Sequence, residues 1–101
     1  MSPVTDFITE LVRAANDVEK LSKGERFHLL QRGFRLIREL RIRSGTRPID
    51  EQDNLRKLEI AALRTENGTA EEAKSILLGT AALIRDLKIV LDAKAEGLKG
   101  R

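Results

Sequence analysis

Six side chains on one stretch of this sequence could do chemistry together: His28, Gln31, Arg32, Arg35, Arg38 and Arg43. They lie within residues 23–47, which carry eight Lys or Arg against two acids, while the rest of the chain is net negative. Clustered guanidinium groups hold polyanions through charge and through directional N–H donors. Projected as a helix at about 100° per residue, these six side chains and Glu39 share the half that faces away from the apolar residues. Arg41 falls on the apolar side, where its stem can lie along hydrophobic surface while its head reaches water. If such a helix entered a major groove, the arginines would track backbone phosphates, with Gln31, Arg32 and Arg35 within reach of base edges. Neutralising about five phosphates would give a log–log salt slope of roughly −4.5.

The same residues have a plainer reading. Arg38, Arg41 and Arg43 sit in the last turns of the expected helix, where cations complement the negative end of the dipole. The other arginines can pair with the acidic segments on either side, leaving a solvated helix face. An unpaired arginine face favours nucleic acid; arginines bridged to Asp6, Glu10, Asp17 or Glu51 favour the structural reading. Stacking on single-stranded bases is disfavoured, because three Phe are the only aromatic residues.

Two local resemblances attach to this stretch. The short connection at 21–24 resembles the turn of a helix-turn-helix element, whose second helix reads DNA, although long helices joined this tightly more often fold back as a hairpin. The run His28, Leu29, Leu30, Gln31, Arg32, Gly33 resembles the segment of histidine-phosphotransfer domains in which His is followed by Leu, a cation and Gly. Gln31 stands where that family has Lys, and the glycine is displaced by one residue. The resemblance implies a helical bundle with His28 as an exposed phosphoacceptor.

Other chemistry is thin. With no cysteine, disulfides, thiol catalysis, iron–sulfur clusters and the usual structural zinc sites are excluded. Asp50, Glu51 and Asp53, like Glu71 and Glu72, sit at expected helix starts and serve capping there. Gly24 lacks the neighbouring glycines of a phosphate loop. No catalytic residue, metal ligand or cofactor is expected. The longest uncharged stretch, 75–84, is too short to span a bilayer, and no leader pattern begins the chain, so no membrane partner and a cytoplasmic location are expected.

The elements that must position these residues are all helical. The chain has 101 residues, two Pro and seven Gly, which suits one helical domain over 1–101. Val4, Phe7, Ile8, Leu11, Val12, Ala15 and Val18 recur at helical spacing and predict a helix over 3–20, with Ser2 as its cap. Ser22 and Glu25 form a capping box that opens a second helix over 23–43. Its apolar face is wide, including Phe27, Leu29, Leu30, Gly33, Phe34, Leu36, Ile37 and Leu40. Gly45 and Pro48 end it. Asp50 caps a weaker third helix over 50–66, in which Glu59 interrupts the apolar side and Ile60 points away. Asn67 and Gly68 stop that helix, and Thr69 with Glu72 opens the fourth, over 70–97.

That fourth helix carries two apolar strips. The main one runs from Ala73 through Ile76, Leu77, Thr80, Leu83, Ile84, Leu87, Val90 and Leu91 to Leu98. On the opposite side lie Leu78, Ala82 and Ile89, with Arg85 between them, and the small residues Gly79, Thr80, Ala81 and Ala82 permit close helix approach. The fourth helix would reach roughly 40 Å against about 25 Å for the first, so a partner helix is favoured, either the third helix or a second copy. The expectation is an all-α four-helix antiparallel bundle, dimeric through Leu78, Ala82, Arg85 and Ile89. It would act as a non-enzymatic interaction or regulatory protein, as a homodimer or with another helical protein; nucleic-acid binding through the second helix is the alternative.

Overall fold

The computed structural model describes residues 3–45, 54–64 and 68–99, apart from the side chains of 44, 54 and 94–99. Four α-helices form, with no strand among the described residues: α1 (Pro3–Asn16), α2 (Lys23–Ser44), α3 (Asn54–Arg64) and α4 (Ala70–Lys99). The expected caps Ser2 and Asp50, the stop residues Asn67 and Pro48, and the side chain of Leu98 lie outside the described residues.

The α-helix that was expected to reach residue 20 ends at Asn16. A 3₁₀ turn at Val18–Lys20 follows. Asn16 and Asp17 are weak helix formers, and Asp17 leaves the helical region at φ −111°, ψ 26°. The tighter turn still buries Val18. The Val18 carbonyl accepts the Leu21 amide at 3.2 Å and also Nη2 of Arg26, from the next helix, at 2.8 Å.

Both expected ends of α2 form. The Ser22 hydroxyl accepts the Glu25 amide at 3.1 Å, and the Ser22 amide donates to Glu25 Oε1 at 3.3 Å. At the far end Gly45 adopts φ 73°, and its amide donates to the carbonyls of Arg41 and Ile42. Only half of the reciprocal pair expected at α4 is described: the Thr69 hydroxyl accepts the Glu72 amide at 3.2 Å. Helix α4 runs to Lys99, two residues past its expected end.

Helix α4 is the hub. Its 30 residues reach about 45 Å, and α1, α2 and α3 all pack against it. Leu11, Ile37, Leu40, Leu77 and Ile84 are fully enclosed where α1, α2 and α4 meet. The closest approach is at Gly33, where a β-carbon would stand 2.6 Å from Thr80 Cγ2. Thr80 is itself fully buried and donates its hydroxyl to the Ile76 carbonyl at 2.8 Å, so no polar group is orphaned at the crossing. The molecule is only 16 Å thick along its shortest axis, about two helix layers at the usual 8–10 Å separation. Among the described residues, Leu78 and Ile89, on the side of α4 that faces away from α1 and α2, stay exposed.

Rotation around each helix is as expected, but coverage of the apolar faces is not. Phe27 aligns with Phe34, two turns on, yet is 53% exposed, because it stands at the rim of the groove between α2 and α3. Leu63 lines the same groove and is exposed beside it. Val12, at the edge of the α1 stripe, and Val90, expected on the main strip of α4, are also exposed.

Candidate functional site

Two surfaces deserve a chemical description: the outer face of α2 and the outward strip of α4. The first is not a uniform arginine field. Arg32 leans toward α1 and meets Glu10 end-on, Nη1 to Oε1 at 3.1 Å and Nη2 to Oε2 at 3.5 Å. Its guanidinium also lies 4.8 Å above the centroid of the Phe7 ring, a cation–π contact. Arg38 leans the other way and donates to Glu59 Oε2 of α3 at 2.7 Å. These two residues are six positions apart, about 120° around the helix, so one reaches each flanking element.

Between them, His28, Gln31 and Arg35 are exposed, as is Arg43 further along. Among the described residues neither Arg35 nor Arg43 makes an ion pair. Arg35 borders a shallow depression with Phe7, Arg32, Leu36 and Glu39, and the Glu39 carboxylate dilutes the positive potential there. Arg41 is half-buried, as its place on the apolar side requires. The structure thus brings Arg32 and Arg38 into contact with acids and leaves His28, Gln31, Arg35 and Arg43 to solvent. Glu59, expected only to interrupt an apolar pattern, is what receives Arg38.

The second surface is built by α4 alone. Leu78 and Ile89 are exposed, at 38% and 58%, and Arg85 lies between them, its Nη2 3.7 Å from Oδ1 of the neighbouring Asp86. Ala82 is half-buried because it also lines the groove between α3 and α4, with Leu58, Ala61, Gly79 and Leu83. That groove encloses about 420 Å³. The small-residue run is used internally: Gly79 faces the Leu58 side chain of α3, and Thr80 faces Gly33 of α2.

Two exposed apolar features were not singled out from the sequence as surface. Phe27 and Leu63 flank a small groove between α2 and α3, with Leu30, Phe34 and Ala62 beneath. Ile42 is 80% exposed on the basic side of α2; its position off the apolar projection was the available signal. Among the described residues no group of three or more His, Cys, Asp or Glu side chains is placed to hold a metal ion. No helix there is long and apolar enough to cross a membrane. No protein-family model, curated protein or solved structure matches the chain.

Proposed function

We propose that this protein is a non-enzymatic helical interaction or regulatory module that self-associates as a homodimer through α4. The supporting observation is that Leu78 and Ile89 stay exposed on a side of α4 opposite a core already filled by the other helices. Fully burying a Leu or Ile side chain stabilises by roughly 1.5–3 kcal/mol. Two copies contribute two such pairs against the entropy cost of association. A two-fold dimer is the commonest way to cover such a strip. The tight connection between α1 and α2 favours an antiparallel bundle within one domain, and the cysteine-free composition suits the cytoplasm.

Sedimentation velocity tests this reading. The protein should sediment as a dimer at micromolar concentration. Leu78→Ser with Ile89→Ser should shift it to monomer while its helical circular dichroism is retained. A wild-type monomer at high micromolar concentration refutes it.

A second reading, nucleic-acid binding, is favoured by one observation: Arg35 and Arg43 are exposed and make no ion pair among the described residues. The engagement of Arg32 and Arg38 narrows it, since about two free arginines in place of five phosphate contacts reduce the expected salt slope to roughly −2. A salt titration against duplex DNA and RNA checks this, and absent or salt-insensitive binding excludes it.

A further inference from the structure

Building on the self-association proposed above, we infer that α4 pairs antiparallel with α4 of a second copy, about a two-fold axis passing between Ala82 and Arg85. The spacing of the strip carries this. Leu78, Ala82, Arg85 and Ile89 are separated by four, three and four residues, so the strip has the same pattern from either end. A 4-3-4 spacing keeps to one face of a helix, as along the seam of two-stranded coiled coils. A two-fold axis at its midpoint places Leu78 on the partner's Ile89 and Ala82 beneath the partner's Arg85.

Size and charge both select this orientation over the parallel one. A parallel pair sets Ala82 against the partner's Ala82, which leaves a gap, and Arg85 level with the partner's Arg85, which repels. The antiparallel pair puts the smallest side chain of the strip under the longest. The two Arg85 residues are then staggered by about 4.5 Å along the axis, each stem crossing an alanine with its guanidinium at the wet rim. Arg85 is free to adopt this pose, since it is 63% exposed and its contact with Asp86 is loose, at 3.7 Å.

The edge of the strip agrees. Lys74 and Asp92 are 18 residues apart, about five full turns, and so lie on one edge of α4. The two-fold operation brings Lys74 to within one residue, about 1.5 Å along the axis, of the partner's Asp92. A parallel pair sets the two Lys74 residues level on opposite edges of the seam, about 27 Å along the axis from either Asp92. Asp92 accepts from Lys88 of its own helix through Oδ2 at 2.6 Å, which leaves Oδ1 for the partner. Lys74 and Asp92 are thus joined twice per dimer.

The chain contains no cysteine, so single thiols report the register. Leu78→Cys and Ile89→Cys variants, mixed and treated with a short bismaleimide, should form a covalent heterodimer. Each variant alone should stay uncrosslinked, because its two thiols lie about 16 Å apart along the axis. Lys74→Cys mixed with Asp92→Cys should behave likewise with Leu78 and Ile89 intact, because like thiols there lie at least about 25 Å apart along the axis. Crosslinking of each variant with itself, and none in the mixtures, overturns the antiparallel pairing. Sedimentation of the same samples separates the two levels: a dimer with the wrong crosslinks refutes the register alone, and a monomer refutes the self-association as well.

Discussion

Alanine at Gly33 and alanine at Gly79 should have opposite effects on stability, although each replaces a glycine inside a helix and each raises helix propensity by about 1 kcal/mol. At Gly33 the new β-carbon would meet Thr80 Cγ2 at 2.6 Å, with the Phe7 ring at 3.6 Å behind it. That is about 1 Å short of the usual 3.5–4.0 Å between carbons. Thr80 is fully enclosed and its hydroxyl is committed to the Ile76 carbonyl, so rotation does not relieve the overlap. Separating α2 from α4 instead costs the roughly 1–3 kcal/mol typical of overpacking. Net destabilisation should be about 1–2 kcal/mol, lowering the unfolding midpoint by roughly 5–15 °C. At Gly79 the nearest atom is Leu58 Cδ2 at 3.0 Å, the tip of a flexible side chain beside a groove of about 420 Å³. It can swing aside, so Gly79→Ala should be neutral or stabilising by up to about 1 kcal/mol. Thermal unfolding by circular dichroism, at one fixed concentration because association shifts the midpoint, measures both. Thr80→Ser removes Cγ2 but keeps the hydroxyl; alone it should cost about 1 kcal/mol, and with Gly33→Ala it should recover most of the alanine penalty. A raised midpoint for Gly33→Ala, or additivity within about 0.5 kcal/mol in the double variant, refutes the close-approach reasoning.

Gly45 holds φ 73° while its amide closes the end of α2, so Gly45→Ala should destabilise by about 1–2 kcal/mol in denaturant titration. Ser22→Ala removes the hydroxyl that accepts the Glu25 amide and should cost about 1 kcal/mol in the same measurement. Arg32→Ala loses both the Glu10 pair and the Phe7 contact. It should cost about 1 kcal/mol in unfolding, whereas Arg35→Ala should stay within about 0.5 kcal/mol of wild type.

Helix type and face were legible in the sequence because periodicity and caps are local. The capping box at Ser22, the left-handed Gly45 and the buried part of the α4 stripe, from Ala73 to Leu87, all follow from residues within a few positions of one another. What was not legible depends on how neighbouring helices meet. Phe27 has the right rotation for the core, yet it and Leu63 stand at the rim of the groove between α2 and α3 and stay exposed. Glu10, which pairs with Arg32, was among the acids singled out in the sequence, whereas Glu59, which pairs with Arg38, was read only as interrupting an apolar pattern; Glu51 lies outside the described residues. The small-residue run of α4 likewise announced close packing without saying that both of its contacts, Gly33 and Leu58, lie within the chain.

The two surfaces constrain each other. The outer face of α2 points away from α4, and the strip of Leu78 and Ile89 points away from α1 and α2, so they occupy opposite sides of a slab two helices thick. A dimer formed through α4 would therefore carry its two copies of Arg35 and Arg43 on far sides, facing away from each other. Dimeric helix-turn-helix proteins do the reverse, presenting both reading helices to successive major grooves of one duplex, about 34 Å apart. If both readings hold, one dimer takes up two short duplexes, one per copy, and a palindromic site has no advantage over a single half-site. Titration of a short duplex by sedimentation, read beside the dimer mass, checks this. One duplex per dimer, with affinity gained from palindromic spacing, would mean that the copies associate through some surface other than the outward strip of α4.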